Sequence, residues 1–131
     1  MLDIDIRTIP HNEQRYPTVG DWQTPEEGFV GVTIVVSQMP DERYEFLVAI
    51  HELIEYFLAK RRGISAKDVT EFDIHFESNR PEMEAKGFIE PGDHPSCPVY
   101  HEHQIAGIVE RLLAHELKVN WRSYDDYIES L

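Results

Sequence analysis

The sequence predicts an α+β domain: a small antiparallel N-terminal sheet of two or three strands, packed on three to four helices. Three observations carry this. Residues 2–6, Leu-Asp-Ile-Asp-Ile, alternate apolar and acidic side chains with the period of a half-buried strand. Phe29 to Ser37 is dense in Val and Ile, whose branched side chains favour a pleated sheet. After Pro40 the pattern changes to stretches of helical periodicity bounded by capping residues.

Taken in order, residues 10–28 hold Pro10, Pro17, Gly20, Pro25 and Gly28 and read as turns with room for a short strand. The first long helix starts at Asp41, a good N-cap side chain, with Glu42 and Glu45 in the turn where the helix dipole favours negative charge. It stops at Gly63, after Lys60, Arg61 and Arg62. Phe46, Ile50, Leu53 and Phe57 form its central apolar stripe, widened by Leu47, Ile54 and Leu58. His51 and Glu55 fall just beyond that widened edge, where the wall of a cleft would lie.

A second helix runs from Ala66 to about Phe76, capped by Ser65, with Val69, Phe72 and Phe76 facing inward. Residues 78–98 hold four prolines and two glycines and read as a long loop. A third helix runs from Val99 or Tyr100 to Lys118 on a stripe of Ile105, Ile108, Val109, Leu112 and Leu113. The last segment, Trp121 to Leu131, forms a short amphipathic helix that packs Trp121, Tyr124, Tyr127 and Ile128 on the body. The whole makes one domain over 1–131, β-rich over 1–40 and helical over 41–131.

Twenty-five acidic against twelve basic residues leave a net charge of −13. Nucleic-acid backbones and anionic membranes are repelled by such a surface, so neither is expected as a direct partner. A substrate or host protein of unspecified kind remains. The single Cys97 forms no intrachain disulfide, and no N-terminal apolar signal segment or membrane-length apolar run is present, which points to the cytoplasm.

The chemistry concentrates in His51-Glu52-Leu53-Ile54-Glu55. Residues four apart share one side of a helix, so the imidazole of His51 and the carboxylate of Glu55 can converge on one cation. Glu52 projects roughly 100° away, where a carboxylate acts on a metal-bound water instead of binding the metal. A solvated face of a charged helix accounts for the same residues without a metal. On the third helix, Tyr100-His101-Glu102-His103 supplies further ligand types. Glu102 shares a side with Val109 and Leu113, which aims an acidic group at the core, where it needs a cation or a histidine as partner. Asp73, on the second helix, is a further acidic candidate.

The motif resembles the His-Glu-x-x-His helix of zincin metallohydrolases, with Glu55 in place of the second histidine. The strand-then-helix order adds to the likeness, which spans some 60 residues. It implies a zincin-like fold with a third ligand on a later helix, a glutamate in the glutamate-ligand branch. Glu102 matches that position and His103 competes for it. Over nearly its full length the chain also resembles small uncharacterised proteins of phages and prophages. That likeness runs from Arg7-Thr8-Ile9-Pro10, Gln14-Arg15-Tyr16 and Gly20-Asp21-Trp22 through the His51 motif to Gly92-Asp93 and Glu102-His103. It implies a shared fold and a phage context.

The resulting expectation is a metal-dependent hydrolase of peptide or amide bonds. His51, Glu55 and one or both of Glu102 and His103 hold a divalent ion, zinc foremost, with manganese, iron or magnesium as further candidates. Glu52 is the general base and Tyr100 stabilises developing negative charge. Two other classes stay open. One is a non-catalytic acidic phage accessory protein, with a structural metal or none; the other is a magnesium-dependent nucleotide pyrophosphatase using Glu52 with Glu55 and Glu71 with Asp73.

Overall fold

A computed structural model describes residues 1–25 and 31–131 of the chain. Among the described residues three strands, β1 (Ile4–Ile9), β2 (Gly20–Gln23) and β3 (Val32–Ser37), precede five helices: α1 (Glu42–Arg61), α2 (Ala66–Ser78), α3 (Arg80–Ala85), α4 (Tyr100–Glu116) and α5 (Trp121–Glu129). The class is α+β, as the sequence predicts. Of the expected strand from Phe29, the first two residues lie outside the described residues.

The sheet is mixed, which corrects the antiparallel expectation. Its order is β1-β3-β2, with β1 parallel to β3 and β2 antiparallel to it. Consecutive strands usually pair as hairpins. Here the segment after Ile9 turns through a 3-10 turn at His11–Glu13 and swings to the far edge, leaving the centre to β3. The hydroxyl of Ser37, at the end of β3, ties that segment down, with the ring of His11 at 2.9 Å and the amide of Gln14 donating to it at 3.0 Å. Val32, Ile34 and Val36 of β3 are buried in the core with Leu47, Val48 and Tyr56 of α1.

α1 forms where its local signals put it. Asp41 accepts a side-chain hydrogen bond from the backbone N–H of Arg43, and Gly63, at φ +72°, carries the chain out of the helix. The helix is wedged between the sheet and α4, and its buried side is Leu47, Val48, Ala49, His51, Glu55, Tyr56 and Ala59. The expected central stripe is displaced: Phe46 is 46% and Phe57 39% exposed. α4 repeats the pattern. It buries Glu102, Ala106, Glu110 and Ala114, while Ile108 and Leu112 of the expected stripe are 66% and 62% exposed. Small Ala106 and Ala114 let the two helices approach, and the polar groups between them satisfy one another.

The expected long loop over 78–98 holds α3 and a 3-10 turn at Pro91–Asp93. Pro81 stands in the first turn of α3, where a missing N–H costs nothing, so the proline opens a helix here. α5 packs as expected: Tyr124 is buried, and Trp121, Tyr127 and Ile128 lie against the core.

Candidate metal centre

α1 and α4 run antiparallel, with Arg43 reaching the carbonyl of Leu117 at one end and Arg62 reaching Glu102 at the other. Midway between, Nε2 of His51 lies 3.0 Å from Nδ1 of His103, which lies 2.9 Å from Oε2 of Glu55; His51 Nε2 and Glu55 Oε2 are 3.4 Å apart. These three atoms are the ones a metal could use. A tetrahedral ion with bonds of about 2.0–2.1 Å separates its ligands by roughly 3.3–3.4 Å, which the His51–Glu55 distance meets, while the two contacts of His103 are hydrogen-bonded distances that would open by a few tenths of an ångström around an ion.

Each of the three side chains is also held from behind. Nδ1 of His51 meets Oε1 of Glu110 at 2.7 Å, and Oε2 of Glu110 accepts from the hydroxyl of Tyr124. Nε2 of His103 meets Oδ1 of Asp93 at 3.2 Å. The indole N–H of Trp22 donates to Oε1 of Glu55 at 3.1 Å. Such outer hydrogen bonds fix the rotamer and tautomer of a ligand before any ion arrives. A second grouping, Glu90 with Asp93, shares the far nitrogen of His103, with Glu90 Oε2 3.5 Å from it.

The electrostatics match. Burial alone would lower the pKa of His51, but hydrogen bonds with Glu110 and Glu55 raise it well above 6.5. His103 is likewise lowered by burial, then raised to about 10 by Asp93 and Glu55. Burial pushes Glu55 up, and the two imidazoles more than reverse this, bringing it to about 2. The cluster therefore favours positive charge at its centre.

Glu55 and His103 border a polar cleft of about 230 Å³, also lined by Arg15, Tyr16, Asp21, Glu52 and Asp73. Burial, followed by the charge of Glu55, raises Glu52 well above 4.5. Asp73 is raised to about 7 by burial, with Asp21 and Glu55 adding to the effect. Two glycines make room for the site. A Cβ on Gly20 would stand 2.8 Å from Cγ of Glu52, and one on Gly92 would strike the ring of His103.

The expected residues divide. His51, Glu55 and His103 come together, and Glu52 and Asp73 share the adjoining cleft. Glu102 does not join them: it is fully buried and pairs with Arg62, a cation as its burial requires, so the residue of α4 that meets His51 and Glu55 is His103. Tyr100 is 38% exposed and lines neither that cleft nor the larger one beside His51. His101 is exposed, and Glu71 is exposed beside Lys67, turned away from Asp73. Glu110, Tyr124, Trp22 and Asp93 escaped the motif reading. Glu110 could have been found as the residue two turns beyond His103, on the face shared with Ala106 and Ala114.

No helix among the described residues is long and apolar enough to cross a membrane. No protein-family model, curated protein or solved structure matches this chain.

Proposed function

We propose that this protein is a metal-dependent hydrolase of peptide or amide bonds, holding a divalent ion, zinc foremost, on Nε2 of His51, Oε2 of Glu55 and Nδ1 of His103. One observation carries the reading: three ligand-type atoms lie within 3.4 Å of one another, and each side chain that bears one is anchored through its other polar atom. Two imidazoles and a carboxylate gathered in a buried place need a shared cation or proton. Two histidines and one carboxylate are a donor set that suits zinc.

Bound there, the ion supplies a coordinated water with a pKa near neutrality. The remaining work falls to the chain. Glu52 borders the cleft beside Glu55, and its carboxylate would serve as the general base there. Arg15, although paired with Asp21 at 2.5 Å, and Tyr16 are donors that line the same cleft and face charge developing on a scissile carbonyl oxygen. Tyr100 stands outside that lining and has no part in the proposal.

The test uses untagged protein. Zinc titration followed by calorimetry should give about one equivalent for the native chain and none for His51→Ala or His103→Ala. Glu52→Gln should keep the ion and lose the release of new amino termini from a mixed peptide pool. A native protein that takes up no zinc, manganese or iron would remove the metal site; an ion bound without any cleavage would remove the hydrolase.

A further inference from the structure

The apolar residues expected in the core of α1 and α4 form an outer face instead. In the antiparallel α1–α4 pair, the helical positions of Phe46, Ile50 and Phe57 place them on the same side as Ile105, Val109 and Leu112. Phe46, Phe57 and Leu112 are 46%, 39% and 62% exposed. At about 200 Å² for a whole residue of this size, these three alone leave on the order of 300 Å² in water, comparable to the largest apolar patch of a typical monomer. The half-buried Ile50, Leu53, Ile105 and Val109 adjoin it, towards the ~800 Å² that each partner gives to a standard interface.

The order of residues on α1 indicates what covers this face. Its outer flank reads Glu42, Phe46, Ile50, Leu53, Phe57, Arg61. About a point midway between Ile50 and Leu53 the flank mirrors itself, aliphatic against aliphatic, aromatic against aromatic and acid against base. A two-fold axis through that point, perpendicular to the helix, lays Ile50 on the partner's Leu53 and Phe46 on the partner's Phe57. It also sets Glu42 beside the partner's Arg61. An isologous interface demands this self-complementarity. Among the described residues neither Glu42 nor Arg61 has an ion-pair partner within its own chain.

We propose that a second copy of this chain covers the face, forming a two-fold symmetric dimer in which the two α1 helices pack antiparallel. Ile50 and Glu52 lie about 200° apart around the helix, so the dimer leaves the cleft at Glu52 open.

Sedimentation equilibrium at physiological salt decides it, with an expected species of twice the 15.3 kDa chain mass. Glu42→Arg or Arg61→Glu alone should each weaken the dimer about tenfold, because two-fold symmetry counts each change twice, and the two changes in one chain should restore it. These substitutions are on the surface and leave the fold intact. A monomer at every concentration would overturn the proposal, as would a dimer indifferent to both single reversals or one that the double reversal fails to restore.

Discussion

Nδ1 of His51 lies 2.7 Å from Oε1 of Glu110, a carboxylate 59 residues further along the chain. With Glu110 accepting there, loss of one proton from the ring leaves the N–H on Nδ1 and frees Nε2, the nitrogen that faces Glu55 and His103. Tyr124 holds the other oxygen of Glu110, so a residue of the last helix helps to aim a side chain of the first. Glu110→Gln, which keeps the shape and weakens the acceptor, should lower zinc affinity about 10- to 100-fold. Tyr124→Phe leaves the carboxylate on His51 and should cost less. Calorimetric titration checks both, and an unaltered affinity in Glu110→Gln would show that the contact does not orient a ligand.

Proton occupancy gives the next expectation. His103 is raised to about 10 and His51 well above 6.5, so near neutrality the ion-free site carries protons that a metal must displace. Zinc binding should release protons and tighten as pH rises from 6 to 8, which titration in buffers of different ionisation enthalpy will read. Stability without metal follows with the opposite sign. A histidine raised from 6.5 to about 10 stabilises the fold fully below 6.5 and loses that contribution as pH climbs to 10. Glu55, lowered from 4.5 to about 2, stabilises above 4.5 and loses its contribution as pH falls to 2. The melting temperature of the ion-free protein should therefore peak between about 4.5 and 6.5 and fall on both sides. A flat profile across that span would contradict the coupled cluster.

What the sequence discloses follows the range of each interaction. Asp41 and Gly63 act within a turn of their own positions, so the limits of α1 are legible from residues alone. His51 and Glu55 stand one turn apart, so their convergence is equally local. The pairing of β1 with β3 depends on where the chain goes after Ile9, which no local pattern encodes. Between Glu102 and His103 the decision belongs to Arg62, whose reach across from α1 is set by how the two helices cross. The stripes of α1 and α4 mislead because hydrophobicity reports that a face avoids water without saying what covers it. This chain buries Glu55, Glu102 and Glu110 with partners and turns Phe46, Phe57, Ile108 and Leu112 outward.

The two glycines allow the proposed chemistry and the proposed metal binding to be tested apart. A methyl group on Gly20 would press on Glu52 and on Cγ1 of Val48, the latter at 2.6 Å, while one on Gly92 would press on the ring of His103. Neither glycine has a positive φ, so the effect of alanine at either position is steric. Gly20→Ala should displace the general base and lower peptide hydrolysis by about tenfold or more while leaving zinc affinity near the native value, because a misplacement of about 1 Å suffices for a large loss of rate. Gly92→Ala should lower zinc affinity. Equal effects of both substitutions on zinc binding would sink this division of roles.

The pair of Glu102 and Arg62 leaves His103 as the residue of α4 that the proposal assigns to the ion. Glu102 is fully buried, with one oxygen on Arg62 and the other without a hydrogen-bond partner. Removing one member of a buried pair costs about 3–5 kcal/mol because a charge is left stranded, and the exposed guanidinium of Arg62, 54% open to solvent, places this pair below that range. Arg62→Ala should accordingly destabilise the protein by about 2 kcal/mol in urea unfolding, and Glu102→Gln, which removes the charge itself, by less. Neither substitution touches His51, Glu55 or His103, so each protein should still bind zinc at about one equivalent with near-native affinity. His103→Ala should lose zinc, and it should also destabilise the ion-free fold because Glu55 and Asp93 lose their imidazole partner. If Glu102→Gln abolished zinc binding and His103→Ala spared it, the assignment of the third ligand to His103 would be wrong and the glutamate of the zincin-like pattern would take its place.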